Sequence, residues 1–191
     1  MAMMSRDEII KMGFASVGEN VLLSDRASFY NCGNISLGNN VRIDDFCVLS
    51  AGTGGIAIGD YVHIAVYCSL IGAGRISLAD FSGLSSRVAV YSSNEDYTGE
   101  WMTNPTVPSE YAGRVHANVT IGRHAIVGAG TVIMPGVVIE EGVAIGALSF
   151  VRKRCEEFGI YSGSPLRRIA ERKRNLLELE KKLLSDSKYC R

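Results

Sequence analysis

The 191-residue chain is predicted to be an all-β protein, built as a parallel β-helix of about six three-sided coils. Three observations carry this prediction. An apolar residue recurs at six-residue steps, at eighteen positions in all. A small or β-branched residue stands four places after most of them. The phase slips only after every third hexad. An amphipathic helix would repeat its apolar residues at ~3.6 and a half-buried strand at ~2. Neither gives six. A short strand followed by a turn does, if each hexad forms one flat wall and its large aliphatic residue fills the interior.

The coils follow in order. Val17, Leu23 and Phe29 mark the first, and Leu37, Ile43 and Leu49 the second. Ile58, Ile64 and Leu70 mark the third, and Leu78, Leu84 and Val90 the fourth. Ile121, Val127 and Ile133 then Ile139, Ile145 and Val151 complete the set. Extra residues enter after Phe29 (two), Leu49 (three), Leu70 (two) and Val90 (twenty-five), so insertions leave from one corner of the prism. Gly18, Gly38, Gly59, Gly122, Gly128 and Gly146 follow the inward residue, where glycine permits a turn at low steric cost. Successive layers should stack at about 4.8 Å.

The long excursion runs from about Tyr91 to Asn118 and holds the single Trp and two of the four Pro. Long loops in compact repeats are usually functional. After Val151 the repeat is expected to end. Residues 1–151 form the β-helix and residues 152–191 a connector and a C-terminal α-helix. Arg152 to Gly163 is the connector, Ser164-Pro165 a helix start, and Leu166 to Leu184 an amphipathic helix. That helix would cap the open end of the prism or pack on a neighbouring subunit.

Composition narrows the function. Apolar residues are 47% and charged residues 21% of the chain, which describes a foldable globular protein. Twenty basic residues balance twenty acidic ones, which argues against a nucleic-acid binder working through bulk charge. No apolar run approaches the ~18 residues of a membrane span, so no membrane insertion is expected. Residues 1–11 lack the apolar stretch of a signal peptide, which predicts a cytoplasmic protein. The charge is uneven, however: residues 152–191 hold twelve Lys/Arg against six Asp/Glu, a basic rim suited to a phosphorylated ligand. Five cysteines, an odd number without a CxxC, support neither a disulfide framework nor a zinc knuckle. Cys47 and Cys68 should point inward as small core residues.

The segments Ile121-Gly-Arg-His-Ala-Ile-Val-Gly-Ala-Gly-Thr-Val-Ile-Met-Pro-Gly-Val, Ile145-Gly-Ala-Leu-Ser-Phe-Val-Arg-Lys and Gly163-Ser-Pro-Leu-Arg resemble the hexapeptide-repeat acyltransferases. The resemblance implies a left-handed parallel β-helix and a homotrimer with active sites between neighbouring subunits, the long loop reaching across. It implies acetyl-CoA or another acyl-CoA as co-substrate, with no permanently bound cofactor and no metal. The stretch from Tyr91 to Pro108 resembles enzymes that N-acylate nucleotide-linked dideoxy-amino sugars of bacterial surface polysaccharides. By position, Ala129 and Ala147 would border the pantetheine arm. Arg152, Lys153 and Arg167 would meet the CoA phosphates, for which charge-assisted hydrogen bonds are suited.

One departure bears on the chemistry. Sugar O-acetyltransferases of this family carry a loop histidine, whereas here the loop reads Ser92-Ser-Asn-Glu-Asp, with no histidine before His116. A hydroxyl needs a positioned base, worth roughly 10²–10⁴-fold. A sugar amine should titrate near 8 and needs less help. The loop therefore favours N-acyl transfer, with Asp96 as first candidate for contacting the amine and Glu95 as second. His63, Ser85, Ser86 and Asn94 are candidate substrate contacts, His63 because strand alternation points it outward. The alternative is O-acetylation with His63 or His116 as base. His124 falls in a turn and is expected to be structural. A zinc hydratase using the three histidines is disfavoured by their spacing, and a non-catalytic β-helix by the long loop and basic tail.

Overall fold

The computed structural model describes residues 2–186, so Cys190 lies outside it. Three parallel sheets form the walls of a β-solenoid. The first wall stacks Ser16–Val17, Ile35–Leu37, Ile56–Ile58, Ile76–Leu78, Val119–Ile121 and Val138–Ile139. The second stacks Leu22–Leu23, Arg42–Ile43, His63–Ile64, Gly83–Leu84, Ile126–Val127 and Ala144–Ile145. The third stacks Ser28–Tyr30, Val48–Ala51, Ser69–Gly72, Ala89–Tyr91, Val132–Ile133 and Phe150–Val151. Residues of the hexad pattern pair in register, as in Ile43 with Ile64 and Leu84 with Val127. Sixteen of the eighteen are buried; Val17 and Phe29, on the first coil, are partly buried against the core. Cys47 and Cys68 are inward and free.

Three features depart from the expected layout. The supposed connector continues the solenoid as an irregular seventh coil. Cys155 bridges in parallel to Ile139, Gly159–Ser162 pairs with Ala144–Ile145, and Phe150 N–H donates to Gly163 O. Its pattern escapes the hexad because the inward places beside Ile139 and Ile145 are taken by Cys155, four residues after Val151, and Tyr161, while Phe158 packs at the corner beneath Arg174. Next, Ser164-Pro165 starts no helix. Arg167–Glu171 returns as an antiparallel strand beside Gly159–Ser162, and the helix spans only Asn175–Ser185. That helix lies against the side of the solenoid through Glu180 and does not close its end. Finally, the opposite end is closed by a helix not anticipated from the sequence, Arg6–Lys11. A Ser5–Glu8 capping box starts it and Ile9 is wholly buried.

The corners obey a different rule from the one expected. The residue three places after the inward one takes a left-handed conformation, yet it is often not glycine. Asn20, Asn40, Tyr61, Phe81 and His124 do so after the first wall, and Phe46, Tyr67, Arg87 and Leu148 after the second, with φ of 55–63°. Aromatic members stack coil on coil: Phe46 on Tyr67 (4.9 Å), Tyr61 on Phe81 (4.8 Å) and Phe81 on His124 (5.0 Å). The repeat glycines serve close approach instead. A Cβ at Gly18, Gly122 or Gly128 would lie 2.4–2.6 Å from backbone of the next coil.

Candidate active site

The second wall carries the first cluster of candidate residues. His63 points outward, and its Nε2 lies 2.8 Å from Asp44 Oδ2. Arg42 Nε donates to Asp44 Oδ1 at 2.7 Å. The Asp44 side chain is only 8% exposed, while those of Arg42 and His63 are about half exposed. Burial pushes the Asp44 carboxyl upward, but the hydrogen bonds and charges of Arg42 and His63 outweigh it and hold the group below its ordinary range. His63, Ser85 and Ser86 line one cleft of about 290 Å³. Asp44 and Arg42 were not legible as site residues. Register arithmetic could have found them, since Arg42 and His63 occupy the same outward position on consecutive coils.

The long loop builds the second cluster. Ser93–Asn94 pairs antiparallel with Val115–His116, closing the base of the excursion. Asn94, Glu95 and Arg152 line a cleft of about 750 Å³ between the loop and the third wall, with Tyr97, Arg114 and Phe150. Arg114 Nε lies 3.3 Å from Glu95 Oε1, so the Glu95 charge already has a partner. Asp96 faces another environment. Its Oδ1 accepts from Thr98 N–H and Oγ1, and its Oδ2 from Gly99 and Trp101 N–H. The Thr98 hydroxyl leads these donors in holding the carboxyl at about 2. Asp96 is therefore ionised at any working pH and lies outside the lining of the loop cleft.

The corner between the second and third walls connects the two clusters. Ser86, Ala129 and Ala147 occupy the same place on three successive coils: Gly130 N–H donates to Ser86 O, and Leu148 N–H to Ala129 O. Ala129 and Ala147 are exposed. Below this column, Arg152 and Lys153 line a groove of about 530 Å³ that shares Phe150 with the loop cleft. Arg154, Arg168 and Arg174 are each paired with glutamates. Among the described residues, Arg152, Lys153 and Arg167 have no such pair, and all three are exposed.

The remaining histidines are placed differently. His116 Nδ1 is 2.7 Å from Ser93 Oγ at the loop base. His124 stacks on Phe81 and meets Glu180 Oε2 at 2.9 Å. No group of three or more His, Cys, Asp or Glu suited to a metal occurs among the described residues. No helix among them is long and apolar enough to cross a membrane.

Known proteins share this fold and much of its sequence. The family described as bacterial transferase hexapeptide (six repeats) matches residues 115–153. The dTDP-4-amino-4,6-dideoxy-D-glucose acyltransferase of Escherichia coli is 56% identical over 180 residues, covering 94% of each chain. AntD, an N-acyltransferase from Bacillus cereus solved with dTDP and 3-hydroxybutyryl-CoA, is 46% identical. It covers 95% of this chain and 96% of its own, with a TM-score of 0.92. A serine-to-alanine mutant of AntD, solved with dTDP-4-amino-4,6-dideoxyglucose and CoA, is 45% identical. It covers 96% of this chain and 97% of its own, also with a TM-score of 0.92. The chain belongs to the hexapeptide-repeat acyltransferases.

Proposed function

We propose that the protein transfers a short acyl group, acetyl by default, from CoA to the 4-amino group of a dTDP-linked 4-amino-4,6-dideoxyhexose. The product would serve surface-polysaccharide synthesis. The observation that carries this reading is the 56% identity over almost the whole chain to the Escherichia coli enzyme of that specificity. The loop chemistry supports it. A carboxyl held at about 2 is too weak a base to deprotonate a hydroxyl, yet it is a strong acceptor for an ammonium or amine N–H. AntD has been solved with an aspartate altered and with a serine altered, the aspartate ten residues after the serine. Asp96 stands ten residues after Ser86. We assign Asp96 to the amine: the Thr98 hydroxyl is a rotor that can release Oδ1 to the substrate.

The step is direct. The amine nitrogen forms a bond to the thioester carbonyl carbon, the C–S bond breaks with its electrons on sulfur, and the surplus amine proton ends on the departing thiolate. Backbone N–H groups at the corner of Ser86, Ala129 and Ala147 are suited to steady the oxyanion. Arg152, Lys153 and Arg167 take the CoA phosphates. Half-exposed Ile126 on the second wall and the far more exposed Leu148 at the corner beside it suit a trimer that sets the second wall of one subunit beside the third wall of the next. Both substrates are water-soluble, which suits a cytoplasmic enzyme.

A specific observation favours one rival. Asp44 orients His63 as it would orient a general base for a hydroxyl, the O-acetylation reading. Incubation with acetyl-CoA and either dTDP-4-amino-4,6-dideoxyglucose or its 4-hydroxy counterpart tests both. Thiol release with the amino sugar alone is expected; release with the hydroxyl compound alone would overturn the proposal.

A further inference from the structure

On the second wall the outward strand position is occupied by Leu22, Arg42, His63, Ile126, Ala144 and Ile160 on six coils, and by Gly83 on the fourth. Glycine weakens a strand, because it gives up backbone entropy and offers nothing to pack. The backbone does not require it here. Gly83 has no left-handed φ. A Cβ built on it would meet only His63 O, at 3.9 Å. The other glycines in the described strands, Gly72 and Gly159, would bring a Cβ to 2.3 and 2.4 Å of their neighbours. Gly83 alone among them is free of any packing reason. In a strand of regular register, such a glycine often marks a place where a ligand or another backbone approaches closely.

What Gly83 leaves open is the cleft of about 290 Å³ shared with Ser85 and Ser86. Its volume equals about ten waters, enough for one hexose ring. Its two ends differ in chemistry. One is His63, fixed through Nε2 by Asp44, so that Nδ1 is the nitrogen left for a ligand. The other is the half-exposed Ile126. A ring with hydroxyls on one edge and a deoxygenated carbon on another matches such a pair.

Resting on the function proposed above, we infer that Gly83 is a specificity-determining residue. Its bare backbone is the floor on which the pyranose ring of the nucleotide sugar lies, with His63 bonding a ring hydroxyl and Ile126 packing the 6-methyl edge. The test compares wild type, Gly83→Ala and Gly83→Val by steady-state kinetics, thermal melting and titration with dTDP alone. Both variants should melt at or above the wild-type temperature. Gly83→Val should raise KM for the nucleotide sugar at least tenfold, with KM for acyl-CoA and affinity for dTDP unchanged. If Gly83→Val fails to fold, Gly83→Ala carries the test with a smaller rise of about threefold. Unchanged sugar KM in a folded variant overturns the inference alone. So does an equal loss of affinity for dTDP, which would put the nucleotide on this floor. No turnover of the amino sugar by wild type would sink the functional reading, and the inference with it.

Discussion

Glu180 is the one buried residue of the C-terminal helix, which makes Glu180→Ala an informative perturbation. Its carboxylate is 6% exposed and bridges Arg123 and His124 on the fifth coil. Leu179 and Leu184 are 57% and 47% exposed, and Leu176, Leu177 and Leu183 are partly buried without joining the main core, so apolar packing holds the helix only weakly. An isolated helix of 11 residues is marginal in water. Truncation leaves His124 Nε2, in a side chain only 10% exposed, without a partner. An orphaned buried donor costs about 1–3 kcal/mol. The lost pair with Arg123, 41% exposed, adds little, since exposed pairs contribute ~0–1 kcal/mol. A weakening of about 2 kcal/mol raises the undocked population roughly 30-fold. Trypsin reads this directly at Lys173, because Arg172 stays anchored to His124 O and Gly142 O while Arg174 is held over the Phe158 ring at 4.0 Å. When reclosing outpaces cleavage, the rate follows the open population. The variant should therefore lose its helix about 30-fold faster, while the solenoid melts within a few degrees of wild type. Equal cleavage rates would refute the claim that Glu180 anchors the helix. Glu180→Gln, which keeps the hydrogen bond without the charge, should fall between the two.

Three further outcomes are expected. Leu70→Ala, at a wholly buried position in the third coil, should cost about 2–5 kcal/mol in chemical denaturation, with no change in KM for either substrate. Asp44 titrates below its unfolded value, so its stabilisation is complete above about pH 4 and is lost as pH falls through the lower folded value. Thermal melts of wild type and Asp44→Asn should converge towards pH 3 and separate at pH 7. Asp96, ionised down to about pH 2, cannot supply an acid limb to the pH–rate profile. That limb should sit near 8, the substrate amine's own value. Asp96→Asn should keep it while kcat/KM falls roughly 10–10²-fold; a limb near pH 5 that vanishes in the variant would show Asp96 acting as the base.

The walls were legible and the corners were not. Leu37 or Ile145 had to be aliphatic because each faces a closed interior lined by its counterparts one coil away, so the constraint repeats with the coil and surfaces as a period. The seventh coil broke the period because its inward places hold Cys155, only four residues after Val151, and Tyr161 instead of aliphatic residues. The strand Arg167–Glu171 was read as helix because all five of its residues are exposed and carry no inward alternation. At the site, the outward direction of His63 followed from alternation, as did the grouping of Ser85 and Ser86 before the loop. Asp44 was invisible because its partnership with His63 lies across coils, and Arg114 because it meets Glu95 from the far limb of the loop.

The corners show why chemistry can be written on this scaffold. A non-glycine residue in the left-handed region costs roughly 1–2 kcal/mol. An aromatic pair stacked at 4.8–5.0 Å returns about 0.5–1.5 kcal/mol beyond its burial. Phe46 on Tyr67 therefore offsets only part of the strain of its two residues. Glycine at both places would remove the strain but lose the stacking and roughly 0.5–1 kcal/mol of chain entropy each, which leaves the two choices within a few kcal/mol of one another. The fold is thus almost indifferent to what stands at an outward corner, while it is strict about Leu84, Val127 and Gly128 immediately beside it. Ser86, Ala129 and Ala147 stand one residue before the left-handed positions of one such corner, and all three are at least partly exposed. A partly exposed column running from the cleft of His63 and Ser86 towards Arg152 and Lys153 suits the meeting of thioester and amine proposed above.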